Sequence, residues 1–169
     1  FLQQTAILER LNASLCNALT GGDDSQSVLD SLARSNLFLL PLDDERRWYR
    51  YHHLFADLLR ARGRRDPDLE SRHRRAAGWY QDHGLPADAF RHWLEAGAVT
   101  EAVAVVEGQS LALLNQGYPR TILAWIDRLP AEIVAGRPWL VIYRAWALLL
   151  TGHAAEALDS LGQGAPPVG

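Results

Sequence analysis

The chain of 169 residues contains no methionine, no lysine and only one cysteine, Cys16. Each absence closes off a chemistry. Without lysine there is no Gly-x-x-x-x-Gly-Lys-Ser/Thr phosphate loop, so ATP hydrolysis is not expected in this segment. A lone cysteine forms no internal disulfide, and the spacing of Leu11, Leu15, Cys16 and Leu19 puts it on the apolar face of a helix, as a packing residue. The missing methionine includes an initiator, which suggests a segment from the middle of a longer gene product. Long apolar runs are missing too. The best candidate, Trp146 to Leu150, falls far short of the roughly 18 to 20 residues that cross a bilayer. Phe1-Leu2-Gln3-Gln4 lacks the charged start, apolar centre and small-residue cleavage site of an export signal, so no membrane is expected as a partner and the cytoplasm is the expected location.

Catalytic and metal-binding signatures are equally scarce. His52, His53, His73, His83, His92 and His153 show no His-Glu-x-x-His spacing and have no cysteine partners, so no zinc site is expected. No serine lies in a Gly-x-Ser-x-Gly turn. Asp43-Asp44 falls at a hairpin tip, where solvated carboxylates suit a turn better than catalysis. The segment is expected to be no enzyme and to carry no cofactor of its own.

What is present is a globular composition, 48% hydrophobic with a formal charge of −3, which argues against a dominant nucleic-acid-binding surface. All seventeen basic residues are arginine, and they are unevenly placed. Ten lie between Arg46 and Arg75, where four acids (Asp57, Asp66, Asp68 and Glu70) leave an excess of six. That window reads either as a docking face for something anionic or as a solvated helix face held in ion pairs.

Apolar residues at Ile7, Leu8, Leu11, Leu15 and Leu19 predict a first helical region, possible to break near Asn12 and stopped by Gly21-Gly22. Asp23-Asp24-Ser25 offers side-chain caps for a second helix with Val28, Leu29, Leu32 and Ala33 inward and Asn36 at its end. Leu37-Phe38-Leu39-Leu40, Pro41, the Asp43-Asp44-Glu45 turn and Trp48-Tyr49-Arg50-Tyr51 predict a β-hairpin. On its second strand Trp48 and Arg50 share one face, Tyr49 and Tyr51 the other. A helix with Leu54, Phe55, Leu58 and Leu59 inward closes the unit. Helices, a two-stranded hairpin and a closing helix make a winged helix, with residues 25 to 35 at the place of the recognition helix.

Arg62-Gly63-Arg64-Arg65-Asp66-Pro67 interrupts the pattern and is taken as the domain boundary, with Pro67 opening a new helix. Beyond it Gly84 pairs with Ala89, Gly97 with Ala102, Gly117 with Ile122 and Gly152 with Ala157, each glycine followed five residues later by a small or branched apolar residue. Such a glycine ends one helix in a left-handed cap, and the small residue lets the next helix press close. Pro86 and Pro119 suit helix starts. The intervals Gly84 to Gly117 and Gly117 to Gly152 approximate the roughly 34-residue tetratricopeptide period. Gly108 is expected to interrupt one helix, and Pro130, Gly136 and Pro138 to cut the following stretch short. The expected fold is mainly α: a winged-helix unit over 1–63, then a tetratricopeptide-like α-α superhelix over 64–169. The glycine- and proline-rich tail from Gly162 to Gly169 cannot cap such an array, so the array is expected to continue.

The run from Asn36 through Leu37-Phe38-Leu39-Leu40-Pro41-Leu42-Asp43-Asp44-Glu45-Arg46-Arg47-Trp48-Tyr49-Arg50-Tyr51-His52-His53-Leu54-Phe55 to Leu59 resembles a signature of MalT-type regulators, the large ATP-binding members of the LuxR-type transcription factors. Phe1-Leu2-Gln3-Gln4-Thr5-Ala6-Ile7-Leu8-Glu9-Arg10-Leu11 is similar as well. The resemblance implies a nucleotide-binding STAND module upstream, binding ATP or ADP, then the winged helix, a helical-repeat sensor that receives a small-molecule or protein inducer, and a DNA-binding C-terminal helix-turn-helix. STAND proteins often end the winged helix with Met-His-Asp, whose histidine lies near the β-phosphate of ADP. Tyr51-His52-His53 stands at the similar position, which implies His52 as a nucleotide sensor; His53 replaces the acidic residue. The residue chemistry alone favours His52 as a helix-start or hairpin residue bonded to nearby backbone.

The expected role is therefore a regulatory and interaction segment that couples the nucleotide-binding module in the same chain to the downstream repeats, with self-assembly as a consequence. Arg46, Arg47 and Arg50 on the hairpin, and Tyr80, Trp93, Tyr118 and Trp125 along the repeats, are the expected partner surface. Two other readings remain: a DNA-binding winged helix with a helical dimerisation domain, and a peptide-binding repeat scaffold.

Overall fold

The computed structural model describes residues 1–35 and 38–163, and these fall into two compact units, 1–97 and 98–163. The first begins with α1 (Leu2–Thr5), α2 (Ala13–Thr20) and α3 (Ser25–Arg34). The antiparallel hairpin β1 (Leu39–Pro41) and β2 (Tyr49–Tyr51) follows, then α4 (His53–Gly63), α5 (Leu69–Asp82) and α6 (Pro86–Glu95).

The first helical region divides where Asn12 allows it. Its side chain accepts the Leu15 amide at 2.7 Å and caps α2, so Ile7, Leu8 and Leu11 stand outside any helix despite their spacing. Leu11 instead exchanges two backbone hydrogen bonds with Tyr49, both at 2.8 Å, and adds a third extended segment beside the hairpin. Gly21, at φ 75°, ends α2 as expected. The Asp24 side chain makes no capping bond to α3; the Ser25 amide is taken by the Asn17 side chain. The expected stop at Asn36, and the Leu37 end of the hairpin, lie outside the described residues, as does the tail from Gly164.

Register settles the faces of β2. Tyr49 and Tyr51 point inward and Arg50 outward. Asp43 shapes the turn by accepting the Arg47 and Trp48 amides at 2.7 and 3.0 Å. On α4 the inward residues are Phe55, Ala56 and Leu59, whereas Leu54 and Leu58, expected in the core, are 68% and 48% exposed. Phe55 explains the rotation: it stacks on Phe38 with ring centroids 4.9 Å apart and meets Tyr51 edge-on at 5.8 Å, which turns the Leu54 edge outward. Cys16 is fully buried with its thiol pushed up to about 12 by that burial, so it serves packing.

The helix expected to open at Pro67 begins at Leu69. Asp66 organises the approach: its carboxylate accepts the Asp68 amide at 3.0 Å and an Arg72 N–H at 2.6 Å, bonds that favour the ionised form and hold its pKa below the usual carboxylate range. The hydrophobic cluster of this unit runs from Leu11, Leu15 and Leu19 through Tyr51 to Ala76, Tyr80 and Ala89. The sequence changes character near Gly63, and the packing divides at Gly97; α5 and α6 share the core of the winged helix.

The second unit holds α7 (Val99–Asn115), α8 (Pro119–Ile126), α9 (Ala131–Ala135), α10 (Pro138–Leu150) and α11 (Ala154–Gln163). The glycine rule is met at each place it predicts. Gly84, Gly97, Gly117 and Gly152 have φ of 68°, 64°, 80° and 88°, and Ala89, Ala102, Ile122 and Ala157 are at most 1% exposed. After Gly84, Gly117 and Gly152 the next amide reaches back five positions, Leu85 to Tyr80, Tyr118 to Leu113 and His153 to Leu148, closing a Schellman turn. Gly108 does not interrupt α7, which runs through it. Pro130, Gly136 and Pro138 do confine α9 to five residues. No helix among the described residues is long and apolar enough to cross a membrane.

Candidate functional site

The joint between hairpin and α4 gathers the basic residues that the primary structure scatters. His52 is the N-cap of α4. Its main chain is fully engaged, with its N–H donating to Phe38 at 2.6 Å and its carbonyl accepting the Phe55 and Ala56 amides. Its imidazole is half-buried, makes no hydrogen bond to the described residues, and lies with its centroid 4.4 Å from that of His53. The side chains of Arg50, His52, His53 and Arg60 line one surface depression of about 360 Å³, with Glu9, Leu40, Tyr51 and Ala56 completing it. Helical spacing brings His53, Ala56 and Arg60 to one side of α4. Arg60 is steadied by its Nε donating to the Ala6 carbonyl at 3.1 Å and by Asp57 at 3.3 Å.

Such a set can hold an oxyanion: two guanidinium groups present fixed donor forks, and two imidazoles donate or accept by tautomer. The floor beneath is rigid. Tyr51 is buried, its hydroxyl 2.7 Å from Thr5, whose own hydroxyl donates to the Phe1 carbonyl. Arg60 was missed in the primary structure, although its seven-residue spacing from His53 was a readable signal.

The other expected surface residues separate into two groups. Arg46, Arg47 and Arg50 are exposed on the hairpin, Arg46 in the left-handed region at φ 53° and Arg47 paired with Glu45. Trp93 is partly buried and donates to Gln81 at 3.2 Å, and Tyr118 is 56% exposed. Tyr80 and Trp125 are interior at 0% and 8% exposure, which removes both from any surface. Tyr80 is enclosed because its ring stacks on His92, 5.4 Å between centroids, inside the α5–α6 pair. Much of the arginine-rich window is locally paired: Arg60 with Asp57, Arg72 with Asp66, Arg74 with Glu70.

The geometry defines a winged-helix unit extended by helix pairs. Residues 1–71 match the family model of the MalT winged helix domain. The chain is 33% identical over 165 residues, 96% of its length, to the serine/threonine-protein kinase PknK of Mycobacterium tuberculosis, of which it covers 15%. It is 34% identical over 148 residues, 86% of its length, to the HTH-type transcriptional regulator MalT of Vibrio parahaemolyticus, covering 16% of that protein. It is 30% identical over 163 residues, 95% of its length, to MalT of Cronobacter sakazakii, covering 18%. The chain thus spans less than a fifth of the length of these curated relatives.

Proposed function

We propose that this segment is a non-catalytic regulatory module of a cytoplasmic, ATP-dependent LuxR-type transcriptional activator of the STAND class. It couples an upstream nucleotide-binding domain to tetratricopeptide-like sensor repeats that receive an inducer, and the released state self-assembles and acts on DNA through a separate C-terminal helix-turn-helix. The observation that carries this reading is the convergence of Arg50, His52, His53 and Arg60 on one depression at the end of the hairpin. There His52 reads the terminal phosphate of ADP, and loss of that bond frees the winged helix to rotate.

The relatives support a module that is independent of output. A protein named as a kinase and proteins named as transcriptional regulators share this stretch over most of its length, so what distinguishes their outputs lies elsewhere in them. The DNA-binding reading is weakened by α3, where Asp30 sits on the would-be recognition helix, accepting from Gln26 at 3.0 Å and from Tyr49 at 3.1 Å. The peptide-scaffold reading loses Tyr80 and Trp125 to the interior.

The test is His52→Ala in the full-length protein. We expect faster ADP release and partial activity without inducer, with secondary structure and melting temperature unchanged because the imidazole bonds nothing in this segment. Unchanged ADP retention together with unchanged inducer dependence would end the sensor role.

A further inference from the structure

A second cavity in the first unit, about 380 Å³, opens where α1, α4, α5 and α6 meet and shares only Glu9 and Arg60 with the His52 depression. Its size is that of a small-ligand site. One wall is apolar, from Ile7, Leu59 and Leu69.

The opposite wall carries polar groups whose bonding is incomplete. Arg72 is 7% exposed. It bonds Asp66 at 2.6 Å and approaches Asp68 at 4.0 Å, yet its Nε is buried with no partner among the described residues. His92, 1% exposed, spends Nδ1 on His73 Nδ1 at 2.9 Å and leaves Nε2 without a partner. Buried polar atoms are ordinarily satisfied, and two orphans lining one cavity mark a place where a bound group completes the set.

The charges specify the group. Asp66 neutralises Arg72, Glu9 pairs with Arg91 at 2.7 Å, and Asp57 with Arg60 at 3.3 Å. Arg64, exposed at the mouth, forms no ion pair among the described residues, and Glu95 stands on the rim as the opposing carboxylate. A single uncompensated guanidinium faced by acidic neighbours matches one negative charge better than a phosphate dianion, and its planar fork matches a carboxylate.

We propose that this cavity is a binding site for a small organic monocarboxylate, its carboxylate held at Arg64 and accepting from the unpartnered Arg72 Nε and His92 Nε2, and its apolar body laid along Ile7, Leu59 and Leu69. A ligand there touches α1 and α4 of the winged helix and the α5–α6 pair together, so occupancy stabilises their packing.

The experiment measures melting of the 169-residue chain against butyrate, hexanoate, benzoate and phenylacetate, with the corresponding primary amides and inorganic phosphate as comparators. At least one carboxylate is expected to raise the melting temperature saturably while its amide does not. Arg64→Gln, at an exposed position that leaves the fold intact, should weaken that carboxylate by about tenfold, the loss of one charge-assisted contact. Three results would overturn the site: no stabilisation by any carboxylate, equal stabilisation by its amide, or an Arg64→Gln affinity equal to the parent. Stabilisation by phosphate alone would overturn the carboxylate assignment.

Discussion

At the residue scale, the His73–His92 pair has the clearest energetic consequence. Burial pushes both imidazoles down, with Arg91 and His73 adding to the effect on His92, which falls to about 3. In the unfolded chain each ring takes a proton near pH 6.5. Between those values the unfolded state binds more protons than the folded one, so stability is fully present above about pH 6.5 and is lost as pH falls towards 3. For His92 the penalty at pH 5 is about 2 kcal/mol. Urea unfolding of the first unit should therefore show a markedly lower midpoint at pH 5 than at pH 7, and His92→Gln should flatten that difference. A midpoint independent of pH would contradict the burial of the pair. Neither histidine could be paired from the primary structure: nineteen positions separate them, and only the closeness of α5 and α6 brings their Nδ1 atoms together.

At the scale of the element, capping chemistry was readable and pairing was not. Glycine followed five residues later by a small residue predicts both a left-handed cap and a buried contact, because one local geometry demands both. Gly108 shows the limit of that reasoning. It lies exposed within α7, and a Cβ there meets nothing within 4 Å, so it is a tolerated weak point and not a stop. Gly108→Ala should stabilise the chain by about 0.5–1 kcal/mol, since alanine loses less backbone freedom in a helix. Gly152→Ala, at φ 88°, should destabilise it by about 1–2 kcal/mol. Equilibrium unfolding of the two variants should move in opposite directions; the same sign for both would refute the distinction. The 7–11 stretch failed for a different reason: the helical spacing of its apolar residues was real, but the Asn12 cap and the Leu11–Tyr49 bridge supply backbone partners that a helix there would forfeit.

At the scale of the molecule, the winged helix does not bury its apolar surface alone. Ala76, Tyr80 and Ala89 belong to the same cluster as Leu11, Leu15 and Tyr51, and Trp79 on α5 donates to Ser14 on α2 at 3.0 Å. Two ion pairs, Arg10 with Asp88 and Arg91 with Glu9, also tie the N-terminal segment to α6. A fragment of residues 1–97 should unfold cooperatively in urea, whereas 1–63 should lose its cooperative transition, because removing α5 and α6 uncovers that cluster. Equal midpoints for the two fragments would place the folding boundary at Gly63. The sequence by itself determined most of the helices, the hairpin, the glycine caps and the resemblance carried by the first sixty residues, because caps, turns and signatures act over a few neighbouring residues. Tertiary structure alone decided which faces are buried, that Tyr80 and Trp125 belong to the interior, and that Leu54 and Leu58 do not. Those outcomes depend on how distant elements pack, and periodicity within one element carries no record of its partner.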